Sequence, residues 1–292
     1  MQLNLNCILC NLKQVLTVTD FAGVDDCRKE LVMREVLGYL QATSYKRSNP
    51  EVIRGTWEII TRHLGDTDPY GAIKRAYNEK MLSLTPAIQN VIDQAADGFF
   101  AALKIAITGN LIDFVARQSL DEKLLLEKIS TAQEQRLAVD DSKKLYEKLK
   151  TADTLLYLGD NCGEIVIDKL FIEQIKRSFP SLQVSYGVRG QAIVNDVTAE
   201  DALQVGMGAV AEIISNGDGS LGTVVAKTSA AFRRVFYAAD VIIAKGQGNY
   251  ESLSEIDRDA IYFLFMAKCE PVAKALGVKN LSIVCREYQR NV

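Results

Sequence analysis

The fold is decided by residues 154–171, which read TLLYLGDNCGEIVIDKLF. The apolar run Thr154–Leu158 is typical of a β-strand, and the segment Glu164–Phe179 has the spacing of an apolar helix. The link between them is polar and is flanked by Gly159 and Gly163. A strand that passes through a short link into a helix is the building unit of α/β proteins. The stretch therefore predicts an α/β domain.

The same alternation continues towards the C-terminus. Further strands are predicted at residues 183–188, 211–214, 241–244, 261–265 and 281–285. Helices are predicted between them, at residues 199–205, 224–237 and 271–276. Strands that alternate with helices at this spacing favour a mostly parallel, Rossmann-like sheet flanked by helices. We assign residues 151–292 to this α/β domain.

Residues 1–150 carry mainly helical patterns and are predicted to form a helical N-terminal region. The Asn49-Pro50 pair is a good helix start, because proline suits the first helical position. The segment Leu84-Thr85-Pro86 is predicted to break the chain between two helices. The helical stretches are residues 27–39, 52–64, 88–107, 123–135 and 142–150.

Composition excludes several classes of protein. Lys and Arg number 34 against 37 Asp and Glu, so the net charge is −3 and no general basic surface is available for nucleic acid or an anionic membrane. Residues 1–11 lack the pattern of a secretory signal, and no apolar run reaches the roughly 18 residues of a membrane span. We therefore expect a cytoplasmic protein whose six cysteines are reduced thiols. The only histidine, His63, lies in a helical pattern and is expected to be a structural or surface residue.

Acidic and amide side chains follow two predicted strands of the sheet. Asp160 and Asn161 come directly after the first strand, and Asp196 lies downstream of the second. Parallel strands place such residues at the same edge, and two close carboxylates repel each other unless a cation lies between them. Oxygen ligands of this kind suit Mg²⁺, Mn²⁺ or a similar ion. A simpler interpretation, that these side chains only cap the following helices, stays open.

Two further segments indicate an anionic ligand. Gly246 and Gly248 let the backbone after the strand 241–244 approach a ligand closely. Lys268 ends another strand and is suited to holding a phosphate, although a lysine at such a position is usually a surface residue. The backbone amides near Gly163 and Gly248 are expected to contact phosphate oxygens as well.

Several motifs, in order along nearly the whole chain, resemble the damage-control metal-dependent phosphatases, the family of the ARMT-like proteins. The motifs are Gly159-Asp160-Asn161-x-Gly163-Glu164, Asn195-Asp196-x-Thr198, Lys245-Gly-x-Gly-Asn249-Tyr250-Glu251 and Thr108-Gly109-Asn110-Leu111-Ile112-Asp113. The pair Cys7-x-x-Cys10 resembles the mainly prokaryotic branch.

The resemblance implies an enzyme that hydrolyses small phosphorylated metabolites with a bound Mn²⁺, Co²⁺, Ni²⁺ or Mg²⁺. Sugar phosphates such as fructose 1-phosphate and phosphopantetheine-like compounds are the implied substrates. By similarity, Asp160, Asn161 and Asp196 hold the metal, and both aspartates are catalytic. The implied substrate-binding residues are Asn110, Asp113, Glu164, Gln247, Gly248, Asn249, Tyr250, Glu251 and Lys268. Some branches have Arg-Thr-x-Lys where this chain has Phe265-Met266-Ala267-Lys268, so their substrates do not transfer directly.

Two other functions stay open at this point. An S-adenosylmethionine-dependent carboxyl methyltransferase would use a similar sheet, although Gly159–Gly163 lacks the full glycine-rich loop of dinucleotide-binding proteins. A non-enzymatic interaction protein with a metal or thiol site would be centred on Cys7 and Cys10, which supply two ligands at most. The nucleophile, a water molecule or a carboxylate, and the oligomeric state are not readable from the sequence.

Overall fold

The computed structural model describes residues 1–109, 122–132 and 134–288. Its centre is a sheet of seven strands in the order β1-β7-β6-β5-β2-β3-β4. The strands are β1 (Val139–Asp140), β2 (Thr154–Leu158), β3 (Gln183–Val188), β4 (Glu212–Ser215), β5 (Val241–Lys245), β6 (Ile261–Met266) and β7 (Ile283–Glu287).

Twelve α-helices lie within the described ranges, together with short 3₁₀ segments at Met207–Ala209 and Val225–Lys227. None of these helices is long and apolar enough to cross a membrane. The helices are α1 (Leu5–Phe21), α2 (Asp26–Ala42), α3 (Asn49–Leu64), α4 (Gly71–Asp93), α5 (Gly98–Thr108), α6 (Glu122–Ala132), α7 (Ser142–Leu149), α8 (Glu164–Ser178), α9 (Ala199–Gln204), α10 (Ala230–Ala238), α11 (Gly246–Leu253) and α12 (Glu270–Leu276).

The prediction of a mostly parallel sheet flanked by helices is confirmed. Strand β2 pairs in parallel with both β3 and β5, and β4 and β6 extend the sheet in the same direction. Strand β7 runs antiparallel to β6 and parallel to β1. The two residues of β1 lie in the region for which the sequence predicted helices only. Because β2 to β6 point the same way, their carboxyl ends form one edge, which is where such sheets bind ligands.

Apolar side chains on the two faces of the sheet form two separate cores. On one face, Tyr157 and Ile243 pack with residues of α4, α5 and α8, such as Phe171. On the other face, Leu156 and Ile242 pack with residues of α10, α11 and α12. Residues from both sides of residue 150 share the first core. The division of the chain into two domains at that residue stays a prediction.

A third core joins the first three helices. Val15 of α1, Val36 of α2 and Trp57 of α3 are buried together, and Ile193, from the loop after β3, packs into the same cluster. The indole N–H of Trp57 also donates to the carbonyl oxygen of Ala192 at 3.0 Å. These contacts fix the three-helix group against the loop that follows β3, at the carboxyl edge of the sheet.

The predicted break at Leu84-Thr85-Pro86 is wrong. Helix α4 continues through Pro86 and ends at Asp93. Proline removes one backbone hydrogen bond from a helix, but Leu84 and Ile88 are buried in the core on either side of it. We attribute the continuity of α4 to this burial, which offsets the lost bond.

The predicted helix 88–107 is interrupted at residues 94–97 instead. There Asp97 caps α5 by accepting the amide of Phe99 at 3.0 Å. Helix α10 starts at Ala230 rather than at 224, and β7 lies two residues later than predicted. Helix α3 begins at Asn49 as predicted, with Glu51 and Ser48 forming a capping box.

A buried ion cluster ties β5 to α8 beneath the carboxyl edge. The Lys245 ammonium donates to Asp168 Oδ1 at 2.6 Å and also to Glu164 Oε1. Tyr157 and Tyr186 donate their hydroxyls to Asp168 at 2.7 and 3.1 Å. Burial raises the pKa of Asp168 to about 6, and Lys245 opposes this shift. The cluster therefore depends on one buried cation that neutralises two carboxylates.

We expect Lys245→Met to lower the free energy of unfolding by about 3–5 kcal/mol, because it leaves two buried carboxylates without their cation. Urea denaturation measures the change. The control is Arg34→Met, which removes an exposed pair with Glu30 and should cost less than about 1 kcal/mol. Equal costs for the two variants would contradict a structural role for the cluster.

Candidate active site

Two backbone hydrogen bonds join the segments that follow β2 and β3. The amide of Cys162 donates to the carbonyl of Asn195, and the amide of Val197 donates to that of Asp160, each at 2.9 Å. Asn161 and Asp196 are thereby paired as an antiparallel bridge. The geometry thus brings together the three residues that the resemblance assigned to a metal.

The backbone around the bridge is constrained at two positions. Val194 has φ of +47°, a left-handed conformation that costs a β-branched residue roughly 1–3 kcal/mol. This turn precedes Asn195 and Asp196. Gly246 has φ of +79°, and a methyl group there would lie 1.9 Å from Oδ2 of Asp160. Only glycine leaves room for the Asp160 carboxylate at this position.

Asp196 is 1% exposed and carries one satisfied and one unsatisfied oxygen. Its Oδ2 accepts from Arg189 Nε at 2.6 Å and from the amide of Gly222 at 3.5 Å. Its Oδ1 is buried and has no hydrogen-bond partner. Burial raises the pKa of Asp196, while Arg189 acts in the opposite direction. A buried carboxylate oxygen without a donor indicates that a ligand completes the site.

Asp160 is buried beside Asp196, and this arrangement raises the pKa of Asp160. Burial, then the charge of Asp196 and then that of Glu164, raise the pKa of Asp160 to about 7. Lys268 and Arg189 act against this shift. Asn161 lies next to the pair and donates to Asp160 Oδ2 at 2.8 Å. The cluster has the like-charge repulsion that a cation would relieve.

These residues fit a divalent cation. The donors are two carboxylates and one amide, which are hard oxygen ligands of the kind that Mg²⁺ and Mn²⁺ bind. For Asn161 to be a ligand, its amide must turn so that the oxygen faces Asp160. Within the described ranges, no three His, Cys, Asp or Glu side chains are placed to hold a metal. An ion here would therefore depend on the Asn161 amide and on ligands from water or substrate.

The cluster opens into a pocket of about 580 Å³. This size falls in the range of about 300–1,000 Å³ that small-molecule sites occupy. The walls come from both the sheet edge and the three-helix group. The lining residues are Cys10, Lys13, Gln14, Thr17, Asn49, Ile53, Tyr70, Asp160, Asn161, Val194, Asn195, Asp196, Leu221, Gln247, Gly248, Glu251 and Lys268.

Four of the implied substrate-binding residues line this pocket. They are Gln247, Gly248, Glu251 and Lys268. Gln247 accepts the backbone amide of Lys268 at 2.9 Å and donates to Glu251 Oε1 at 2.7 Å, so it couples the lysine to helix α11. The Lys268 side chain is exposed and makes no ion pair with any described residue. Its role in holding phosphate stays a prediction.

Three other implied residues do not line the pocket. Glu164 is bound to Lys245 in the buried ion cluster. Asn249 is fully buried and donates to the carbonyl oxygens of Gly159 and Lys245 at 3.2 and 2.7 Å. Tyr250 packs against Phe263 and Phe265 in the core of the opposite face. Their contacts support the walls of the site from behind.

Asn110 and Asp113 lie outside the residues that the structure describes. The amide of Gly163 itself donates to Asn78 Oδ1 at 2.6 Å, and a contact of phosphate with other amides near Gly163 or Gly248 stays a prediction. His63 lies away from the pocket and contacts Glu35 at 2.7 Å, which agrees with a surface role.

The sequence analysis missed two parts of the site. Arg189, which pairs with Asp196, directly follows β3 and also donates to the carbonyl of Gly159 at 3.2 Å. A basic residue at a strand end next to an acidic motif was the available signal. The second part is the polar face of α1, where residues 10, 13, 14 and 17 recur at helical spacing.

Cys10 lines the pocket, and Cys7 lies one turn before it on α1. Burial raises the pKa of Cys7 to about 11, and nearby Glu251 acts in the same direction. Burial and Glu251 also raise the pKa of Cys10. Of the two cysteines, only Cys10 is among the residues that line the pocket, and the role of the pair stays a prediction.

The fold and the site together define an α/β protein with a pocket at its parallel sheet edge that contains two buried carboxylates. The family model of the damage-control phosphatase ARMT1-like domain matches residues 3–284. The chain therefore belongs to the damage-control phosphatase family.

Individual relatives agree with this assignment. The damage-control phosphatase PH1575 of Pyrococcus horikoshii is 33% identical over 288 residues, which cover 98% of each chain. A damage-control phosphatase of Archaeoglobus fulgidus is 34% identical over 225 residues, covering 76% of this chain and 77% of that protein. The crystal structure of a DUF89 family protein from Pyrococcus horikoshii superposes with a TM-score of 0.91 at 31% identity, covering 99% of this chain and 100% of that one.

We expect Gly246→Ala to displace the Asp160 carboxylate and to weaken Mn²⁺ binding at least tenfold, since the added methyl group would overlap Oδ2. Calorimetry measures the affinity for Mn²⁺, and urea denaturation measures the free energy of unfolding of each variant. Gly65→Ala is the matched control, because Gly65 has φ of +70° but open space around it. That variant should lose about 1–2 kcal/mol of stability and no metal affinity. Unchanged metal binding in Gly246→Ala would argue against Asp160 as a ligand.

Proposed function

We propose that this chain is a metal-dependent phosphatase that hydrolyses small phosphorylated metabolites. The observation that carries the proposal is the buried carboxylate pair Asp160 and Asp196, with one unsatisfied oxygen, in a pocket that also contains Lys268. Family membership favours hydrolysis over methyl transfer and over a thiol-centred interaction protein, the two alternatives that the sequence left open.

Asp160, Asn161 and Asp196 would hold the cation. When bound, it supplies charge neutralisation and Lewis-acid polarisation of a phosphoryl oxygen. We propose Mg²⁺, Mn²⁺, Co²⁺ or Ni²⁺, because all of them accept oxygen ligands. Arg189 keeps Asp196 oriented by its bond of 2.6 Å to Oδ2, which leaves Oδ1 to face the ligand.

Lys268 would bind the phosphate, because it lines the same pocket as the carboxylate pair and its charge acts on Asp160. A phosphoryl group in the transition state spreads negative charge over its equatorial oxygens, and a lysine placed in advance stabilises that charge. Gln247 holds the backbone of Lys268 in position.

Glu251 lies on the pocket wall and accepts hydrogen bonds from Gln247 and Asn49. Burial raises its pKa, while these two hydrogen bonds act in the opposite direction. Sugar phosphates such as fructose 1-phosphate and phosphopantetheine-like compounds are the substrates to test first.

We expect Asp160→Asn to lower metal-dependent phosphate release by at least about 100-fold, because it removes a charged ligand at nearly constant volume. The assay uses metal-stripped protein that is supplied again with each divalent ion, across a panel of phosphorylated metabolites. Asp153→Asn, an exposed change just before the same strand, is the control and should retain full activity.

Metal-restored phosphate release that persists in Asp160→Asn would refute the assignment of this ligand. No release with any ion or substrate, from protein with a native denaturation curve, would refute the phosphatase proposal. Tight calorimetric binding of S-adenosylmethionine in that case would favour the methyltransferase instead.

A further inference from the structure

Helix α1 turns one polar face towards the pocket. Cys10, Lys13, Gln14 and Thr17 all line it, and their spacing of three and four residues places them on one side of the helix. The core side of the same helix is formed by residues such as Val15 and Val18. This face of α1 therefore forms one wall of the pocket.

Two polar groups on this wall have no partner among the described residues. The Lys13 ammonium makes no ion pair there, whereas Lys29 and Lys74 each contact a carboxylate within 3 Å. The side-chain oxygen Oε1 of Gln14 is buried and accepts no hydrogen bond. Within the described ranges, the pocket wall thus carries an exposed lysine without a carboxylate partner and a buried acceptor without a donor, which suits a ligand that has both an anionic group and a donor.

Lys13 and Lys268 line the same pocket but belong to different parts of the fold. Lys268 follows β6 and its charge acts on Asp160, whereas Lys13 is on α1 and its charge acts on Cys10. A pocket of about 580 Å³ is also much larger than one phosphate group. The two unpaired lysines are thus carried by different elements of one pocket, and a ligand that fills the pocket meets both.

We propose that Lys13 and Gln14 form a second anion subsite, and that the preferred substrates carry a carboxylate or second phosphate in addition to the phosphate that is hydrolysed. The inference rests on the proposed phosphatase function and specifies its substrate class. Lys13 binds the second anion as a point charge, and Gln14 accepts a hydroxyl from the connecting part of the molecule.

Matched substrate pairs test the subsite. Each pair differs in the second anion, for example 3-phosphoglycerate against glycerol 3-phosphate, and fructose 1,6-bisphosphate against fructose 1-phosphate. The wild-type enzyme should favour the doubly anionic member in kcat/KM. In Lys13→Met this preference should fall about tenfold, mainly through KM, because the lost interaction holds the substrate equally before and during the reaction.

Three controls make the result specific. Lys13→Arg should restore most of the preference, since it keeps the charge. Lys46→Met removes an exposed lysine outside the pocket and should leave the preference unchanged, which excludes an effect of net charge. Gln14→Leu removes the buried acceptor but keeps a side chain of similar size. It should weaken the binding of substrates that have a hydroxyl next to the second anion.

Other outcomes would overturn the inference. If kcat/KM in Lys13→Met falls equally for both members of each pair, Lys13 binds the hydrolysed phosphate itself. If kcat/KM does not fall for either member, Lys13 is a surface residue without a role in binding. If the wild-type protein hydrolyses none of the compounds, the proposed function fails, but calorimetry with the same pairs still tests the subsite. Doubly anionic compounds should then bind more tightly to wild type than to Lys13→Met, and equal affinities would refute it.

Discussion

The constraint on which the rest of the site depends is the forced proximity of two buried carboxylates, Asp160 and Asp196. Two backbone hydrogen bonds between the segments after β2 and β3 fix the backbone positions of both residues. Burial and mutual repulsion raise the pKa of Asp160 to about 7. The surrounding features, Gly246 beneath one carboxylate and Arg189 on the other, keep this unfavourable arrangement in place. A cation bound between the two side chains, as we propose, would relieve this repulsion.

The two parts of the chain make different contributions to the pocket. The sheet edge supplies the carboxylates and Lys268, and the buried Lys245 cluster stiffens the strands and helix directly below them. The three-helix group supplies the opposite wall and is anchored by its own core, into which Ile193 of the loop after β3 packs. Because the loop and the helices share this core, the carboxylates and the Lys13 wall are held in a fixed relation. We therefore propose that the helices determine which substrates bind, and that the residues at the sheet edge carry out the hydrolysis.

Local patterns were enough to predict the parallel sheet and the placement of Asp160, Asn161 and Asp196 at one edge. The end of a strand and the polar link after it can both be recognised from a short run of consecutive residues. The features that failed depend on distant contacts. Helix α4 passes through Pro86 because of core burial that no local pattern shows. The pairing of Glu164 with Lys245, 81 residues later, is likewise invisible in the local sequence, and Glu164 also accepts a hydrogen bond from Asn161 at 3.3 Å. The polar face of α1 was visible as a spacing, but only the fold shows that it faces the carboxylates.

The central claim, that the carboxylate pair is a cation site, is tested most directly by calorimetric titration of Mn²⁺ into metal-free protein between pH 5.5 and 8. We expect one bound ion per chain in the wild type, and no binding in Asp160→Asn or in Asp196→Asn. Since the ion displaces the proton of Asp160, whose pKa is about 7, affinity should be constant above that pH and fall about tenfold per unit below it. Binding that survives both substitutions, or no binding at any pH, would contradict the account.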